Sequence, residues 1–135
     1  MRRLLAMMLP KGDRIAIVDD DDDVRRALAR LLRAEGFEPV LFASAEALLR
    51  SDHPETFRCA VLDIRLGGMS GLTLARHLAS VAPRVGIVFI TAADTAASRE
   101  DAANAGCVAY FGKPFDCNEM LQAIRRAAAD RVPPG

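Results

Sequence analysis

Carboxylate, hydroxyl and ammonium side chains stand where separate apolar runs of this sequence end. Asp19 and Asp20 follow the first run, and Asp63 follows the third. Thr91 comes directly after the fourth run, and Lys113 comes shortly after the fifth. If the runs are parallel strands of one sheet, their carboxyl ends meet at one edge, and these side chains form a single site.

The carboxylates of this set suit a hard cation. Clustered carboxylates repel one another unless a cation binds or protons are taken up. Mg²⁺ prefers oxygen ligands, and proteins usually hold it through one or two carboxylates while it keeps several waters and a phosphate. We therefore expect Asp19 and Asp20 to hold Mg²⁺.

The same set contains the groups that phosphoryl transfer needs. A carboxylate can attack phosphorus and carry the group as an acyl phosphate. Asp63 is best placed for that role, because it stands alone after its strand and precedes a glycine-rich loop. The oxygens of the transferred group then need positive charge and a hydrogen-bond donor. Lys113 would supply the charge, and Thr91 would supply the hydroxyl.

Composition narrows the function classes. The 135 residues carry 18 basic and 18 acidic side chains, so the formal net charge is zero. That balance argues against direct nucleic-acid binding, which usually shows as a basic surplus. No apolar stretch approaches the roughly 20 residues that cross a membrane. Three cysteines without a C-x-x-C spacing indicate neither a disulfide framework nor a zinc site, so we expect a cytoplasmic protein.

Two alternating patterns define the elements that position these residues. Continuous apolar runs, typical of strands buried on both faces, alternate with stretches of helical period. Strands are predicted at 15–18, 37–42, 59–62, 85–90 and 107–111, and helices over about 24–35, 44–49, 72–82, 94–105 and from 116. Five strand–helix units with right-handed crossovers give one parallel sheet with helices on both faces.

The length suits one domain. We expect it to span residues 14–130, after an N-terminal arm at 1–13 and before a tail or partial linker at 131–135. The sequence leaves open whether such a domain works alone or is joined to an effector domain.

Five short motifs follow one another along the chain: IVDD at 17–20, VLDIRL at 61–66, GMSG at 68–71, FITA at 89–92 and YFGKPF at 110–115. One such motif is weak, whereas all of them in order are specific. Together they resemble the motifs of the receiver domain of two-component response regulators. Their sequences are similar to those of the nitrogen-fixation-type transcriptional regulators.

The resemblance implies a flavodoxin-like (βα)5 fold, a doubly wound parallel sheet of five strands in the order 2-1-3-4-5. It also implies that Asp63 accepts a phosphoryl group from a sensor histidine kinase or a histidine phosphotransfer protein. Such a domain is a switch rather than an enzyme, and assists only its own phosphotransfer and autodephosphorylation.

The resemblance further implies a ligand set for Mg²⁺. Asp20 would bind the ion directly and Asp19 through water. Asp63 would contribute a carboxylate oxygen, and Arg65 would offer its backbone carbonyl.

A switch pair and a cis peptide are implied as well. Thr91 would move to the phosphoryl group, and Tyr110 would rotate inward to fill the vacated space. That movement would repack the surface of the fourth helix, fifth strand and fifth helix, for partner binding or homodimerisation. A cis Lys113–Pro114 bond would direct Lys113 inward.

Two alternatives compete with this interpretation. A phosphatase of the haloacid dehalogenase type needs a second Asp two residues after the nucleophile, and Arg65 stands there instead. A pseudo-receiver would act as an interaction module without phosphorylation. Receivers commonly have a proline where this chain has Gly67, so we expect a more flexible loop, and this departure leaves the second alternative open.

The acidic run from Asp19 to Asp23 and the predicted first helix carry further charges. We expect Asp22 and Asp23 in the first helical turn, one of them as its cap. Asp21 is either an outer partner of the metal or a solvated charge. A basic face on the first helix is either solvated or a kinase-docking surface; it consists of Arg25, Arg26, Arg30 and Arg33.

Overall fold

Strands and helices alternate strictly along the chain, as the two sequence patterns predict. The computed structural model describes residues 12–129, so the predicted tail and all but the last two residues of the predicted arm lie outside the described residues. The elements are β1 (Arg14–Val18), α1 (Asp22–Ala34), β2 (Glu38–Phe42), α2 (Ala45–Leu49), a 3₁₀ turn (Pro54–Thr56), β3 (Cys59–Asp63), α3 (Gly71–Val81), β4 (Gly86–Thr91), α4 (Ala96–Asn104), β5 (Ala109–Gly112) and α5 (Cys117–Ala129).

The five strands form one parallel sheet in the order β2-β1-β3-β4-β5, which confirms the predicted fold class. The register aligns the ends of the strands. Val18 is paired with Leu62, so the residues that come next, Asp19 and Asp63, lie side by side at the ends of β1 and β3. Thr91 is paired with Gly112, one residue before Lys113. The predicted site residues therefore lie at one edge of the sheet.

The core has two layers, one on each face of the sheet. Alternate residues of β1, β3 and β4 point into opposite layers, and the three strands are buried almost throughout. This explains why their sequences are continuous apolar runs rather than alternating ones. Helices α1 and α5 cover one face, and α2, α3 and α4 cover the other. Among the described residues, no helix has the length and apolar character needed to cross a bilayer.

Polar side chains cap the starts of several helices, and the cap of α1 differs from the prediction. Ser44 caps α2, and the Asp116 carboxylate accepts a hydrogen bond from the Glu119 amide at the start of α5. At α1 the cap is Asp21, whose carboxylate accepts from the amides of Asp23 and Val24. Asp22 and Asp23 lie in the first turn, as expected, but the expectation that one of them is the cap is wrong, because the helix begins at Asp22, two residues before the predicted start at 24.

Leu72, Ala75, Leu78 and Ala79 recur at helical spacing in the sequence and predict the buried stripe of α3, but the structure buries a different set. Leu74, Ala75 and Leu78 are buried, whereas Ala79 is exposed and Leu72 is only partly buried. Leu74 carries the contact with the sheet that the pattern assigned to Leu72 and Ala79. Both assignments satisfy the helical period, and only the docking angle of the helix distinguishes them.

The close approach of β4 and α5 generates a prediction. A Cβ at Gly86 would lie 2.7 Å from the Ala127 Cβ and 3.1 Å from its backbone. Gly86 and Ala127 are both buried, so neither the strand nor the helix can easily move away from an added methyl group. We therefore expect Gly86→Ala to lower the free energy of unfolding by about 1–3 kcal/mol. Gly67→Ala is the matched control, since nothing lies within 4 Å of a Cβ there. Urea denaturation of both variants measures the difference, and equal stabilities would contradict the packing described.

Candidate functional site

The ammonium group of Lys113 lies between two buried carboxylates at the carboxyl edge of the sheet. Its Nζ donates to Asp19 Oδ2 at 2.8 Å and to Asp63 Oδ2 at 2.9 Å. Asp19 is fully buried and Asp63 is 4% exposed, while the Lys113 side chain is 18% exposed. The three residues come from the ends of β1, β3 and β5. The sheet therefore joins groups that are far apart in the sequence.

Each of the two carboxylates is also held by its own loop. Asp63 Oδ1 accepts from the backbone N–H of Arg65 at 3.0 Å. Asp19 Oδ1 accepts from the backbone N–H of Asp21 at 2.8 Å. One oxygen of each carboxylate is thus fixed locally, and the other faces Lys113, so the orientations of both groups are set before any ligand binds.

Burial and charge perturb the ionisation of the pair. Burial raises the pKa of Asp63 above its ordinary value, and the neighbouring carboxylate of Asp19 acts in the same direction. The hydrogen bonds from Lys113 and from the Arg65 amide oppose this rise without cancelling it. For Lys113, burial disfavours the charge, but the two carboxylates outweigh it and raise the pKa of the ammonium. Lys113 therefore stays charged at neutral pH.

A third carboxylate completes the cluster. One oxygen each of Asp19, Asp20 and Asp63 lies within 4.8 Å of the others. Asp20 is exposed, whereas the other two are buried. Three carboxylates around one ammonium leave excess negative charge, and their hard oxygens are the donors that Mg²⁺ prefers. The cluster fits such an ion. Arg65 lies in the adjoining loop, and the metal role expected of its carbonyl remains a prediction.

The predicted switch residues lie on the neighbouring strands β4 and β5. Thr91 is 1% exposed at the end of β4, and its Oγ1 accepts from the Ala93 amide at 3.1 Å. The Thr91 carbonyl accepts from the backbone N–H of Lys113 at 2.8 Å, which joins β4 to the loop after β5. That loop contains the cis Lys113–Pro114 bond that the resemblance implied. Tyr110 is half-buried on β5, the strand next to Thr91.

Two residues that the sequence reasoning missed hold Tyr110. Its hydroxyl donates to Asp94 Oδ1 at 3.1 Å, and Arg99 Nε and Nη2 donate to the two oxygens of Asp94 at 2.8 and 2.7 Å. The Arg99 guanidinium also lies 5.4 Å from the centre of the Tyr110 ring. Hydrogen bonding to Arg99 lowers the pKa of Asp94. The available signal was the place of Asp94, three residues beyond Thr91 in the same loop.

Comparison with known families identifies the chain. The family model described as the response regulator receiver domain matches residues 15–125. The chain belongs to this family. It is a receiver domain of two-component signalling systems, and the family is generally regulatory rather than catalytic.

Individual relatives agree with the family. Nodulation protein W of Bradyrhizobium diazoefficiens is 38% identical over 110 residues, which cover 82% of this chain and 48% of that protein. The transcriptional regulatory protein FixJ of Azorhizobium caulinodans is 31% identical over 117 residues, covering 87% and 56%. The predicted likeness to nitrogen-fixation-type regulators is thereby confirmed. The receiver chain spans about half the length of the curated relatives it matches.

A solved receiver structure also superimposes well. The response regulator TrrA of Thermotoga maritima, solved in complex with Mg²⁺ and beryllium fluoride, is 26% identical with a TM-score of 0.75. The match covers 85% of this chain and 98% of that one.

The raised pKa of Asp63 predicts a pH-dependent stability. The folded state favours the protonated carboxyl, so the wild type loses stability as the pH rises through the raised pKa. Asn cannot ionise, and we expect Asp63→Asn to be more stable at pH 7 by about 1 kcal/mol, a usual size for one substitution. The gain should vanish at low pH, where the unfolded chain is protonated too.

Urea denaturation between pH 3 and pH 7 in the presence of EDTA measures this effect. Asp101→Asn, on the exposed side of α4, is the control and should give no such trend. A difference that does not vary with pH, or an Asp63→Asn protein that is less stable than the wild type at pH 7, would show that the folded state does not disfavour the ionised form of Asp63.

Proposed function

We propose that this receiver accepts a phosphoryl group on Asp63 from a phosphohistidine of a sensor histidine kinase or a histidine phosphotransfer protein. An oxygen of the Asp63 carboxylate forms the new bond to phosphorus while the bond from phosphorus to the ring nitrogen breaks. The electron pair of that bond stays on the histidine. The observation that carries the proposal is the Lys113 ammonium, which bridges Asp63 and Asp19.

Lys113 and Thr91 are proposed to receive the charge of the phosphoryl group. The Lys113 ammonium is within hydrogen-bond distance of Asp63 already, so a small shift brings it to a phosphoryl oxygen. The Thr91 hydroxyl accepts one hydrogen bond from Ala93 and still has its own proton to donate. Buried charge and donors of this kind stabilise transferring oxygens strongly, because water does not screen them.

Asp19, Asp20 and Asp63, with the backbone carbonyl of Arg65, are proposed to hold Mg²⁺. When bound, the ion supplies neutralising charge to the phosphoryl oxygens. Asp20 is exposed, which suits direct ligation, whereas Asp19 is fully buried and would act through water. Mg²⁺ and beryllium fluoride are bound in the TrrA complex, which supports the presence of a Mg²⁺ site in this receiver.

Phosphorylation is proposed to act on the α4–β5–α5 surface through Thr91 and Tyr110. A shift of Thr91 toward Asp63 pulls on the loop that carries Asp94, and Asp94 holds the Tyr110 hydroxyl. Tyr110 would then turn inward beside β4, and the repacked surface would bind a partner or a second copy of the chain. The domain would also assist its own dephosphorylation. Gly67, exposed and without close neighbours, leaves the loop after Asp63 less restrained, which bears on the lifetime of the phosphate.

Mass spectrometry after incubation with acetyl phosphate tests the chemistry. We expect one added phosphoryl group that requires Mg²⁺, because the clustered carboxylates otherwise repel the donor. Asp63→Asn should remove the labelling, and Lys113→Ala should strongly reduce it. Asp101→Asn, away from the site, should label like the wild type.

Two results would contradict the assignment in different ways. Persistent labelling of Asp63→Asn would place the phosphoryl group on another residue. A wild type that takes no label, although folded, would favour the phosphorylation-independent module instead.

The switch is tested through Tyr110, which is the single tyrosine of a chain without tryptophan. Its fluorescence therefore reports the switch directly. With Mg²⁺ and beryllofluoride we expect acrylamide to quench Tyr110 less, because the ring turns inward. Thr91→Ala should abolish this change while Thr91→Ser, which keeps the hydroxyl, should retain it.

Sedimentation velocity on the same samples shows whether the change is accompanied by dimerisation. If Thr91→Ala responds to beryllofluoride like the wild type, Thr91 does not couple the site to Tyr110.

A further inference from the structure

One arginine of α1 differs from the other members of the basic face. The Arg25 side chain is only 15% exposed, whereas that of Arg26 is 69% exposed. Arg30 and Arg33 are exposed as well. The predicted solvated or docking face therefore does not include Arg25, whose guanidinium points back toward the acidic run.

The contacts of Arg25 span the start of that run. Its Nη1 donates to the backbone carbonyl of Asp19 at 2.6 Å, and its Nη2 donates to Asp22 Oδ1 at 2.6 Å. Asp19 lies one residue beyond β1, whose last ladder partner toward β2 is Phe42. The amide of Asp19 still donates to the Phe42 carbonyl at 3.2 Å. Both sides of the Asp19 backbone are thus held, one by a strand and the other by Arg25.

We infer that Arg25 is a positioning residue for the metal cluster, because it holds the loop at 19–22 closed around Asp19 and Asp20. This inference rests on the proposed Mg²⁺ site. Neighbouring carboxylates repel and tend to spread the loop. Mg²⁺ requires near-ideal octahedral geometry, so ligands that are held in place before binding lose less freedom on binding. Arg25 would hold the loop through the Asp19 carbonyl and the Asp22 carboxylate, neither of which is among the proposed ligands.

The charge of Arg25 by itself acts in the opposite direction, since a cation close to the site repels Mg²⁺. Arg26 separates the two effects. It carries the same charge and binds the same Asp22 carboxylate, with its Nη2 2.7 Å from Oδ2, but it extends into solvent. Removing Arg26 takes away a positive charge, whereas removing Arg25 takes away the same charge and also the hydrogen bond to the Asp19 carbonyl.

Mg²⁺ titration by isothermal calorimetry of the wild type, Arg25→Ala, Arg26→Ala and Arg25→Lys tests the inference. We expect Arg25→Ala to raise the Kd about tenfold, in the range found when partners that orient metal ligands are removed. Arg26→Ala should leave it unchanged or slightly lower. Arg25→Lys, which keeps the charge but not the two-pronged geometry, should fall between wild type and Arg25→Ala, and it carries the test if Arg25→Ala does not fold.

Hydrogen exchange in the metal-free proteins supplies a second measurement. The Asp21 amide, which donates to Asp19 Oδ1, should exchange faster in Arg25→Ala than in Arg26→Ala. Thermal unfolding of each variant shows whether it is folded at the temperature of the titration. If it is, a general loss of stability does not change the measured Kd, and a raised Kd reports on the site.

The outcomes distinguish the inference from the function on which it rests. A wild type that binds Mg²⁺, with Arg25→Ala equal to Arg26→Ala or tighter, would overturn the positioning role alone. A wild type that does not bind Mg²⁺ would overturn the proposed metal site, and the positioning role with it.

Discussion

The ammonium group of Lys113 neutralises part of the buried negative charge that the sheet brings together, and the site depends on that contact. Asp19 and Asp63 are taken out of water at the ends of β1 and β3, where each would be costly as an isolated charge. Lys113 reaches both from the loop after β5. One positive charge for two buried carboxylates leaves the pair incompletely compensated, which is consistent with the raised pKa of Asp63.

This incomplete compensation is better explained by the proposed function of the site than by stability. Buried ion pairs contribute little to stability once desolvation is counted, so an apolar substitute would hold this edge of the sheet as well or better. In the proposed function, the residual negative charge favours the binding of a divalent cation. Asp21 caps α1 and Arg25 binds the Asp19 carbonyl beside the cluster of Asp19, Asp20 and Asp63. In the proposed function, part of the protein's stability is thus given up for a cation site.

The sequence patterns predicted the topology and the residues at the strand ends, because parallel strands buried on both faces have unmistakable apolar runs and the chemistry stands directly after them. They did not predict details that depend on the docking of one element against another. Leu74 rather than Leu72 faces the sheet, since both satisfy the helical period. Asp21 rather than its neighbours caps α1, since any residue of an acidic run could do so.

The contacts of Arg25 and Asp94 were invisible in the sequence for a related reason. Arg25 is one of several arginines on α1, and nothing in the sequence distinguishes it from the others. Only the folded structure shows that its guanidinium binds the Asp19 carbonyl. Asp94 and Tyr110 are joined across the loop after β4 and the strand β5, a contact that no local pattern encodes. Long-range partners of polar side chains are set by the tertiary fold.

A crystal structure of the receiver with Mg²⁺ and beryllofluoride tests the central claim most directly. We expect beryllium bonded to an oxygen of Asp63, with Lys113 Nζ moved to a fluoride and Mg²⁺ on the carboxylates of the cluster. Beryllofluoride bound elsewhere, or Lys113 still bridging Asp19 and Asp63 beside an occupied site, would contradict it.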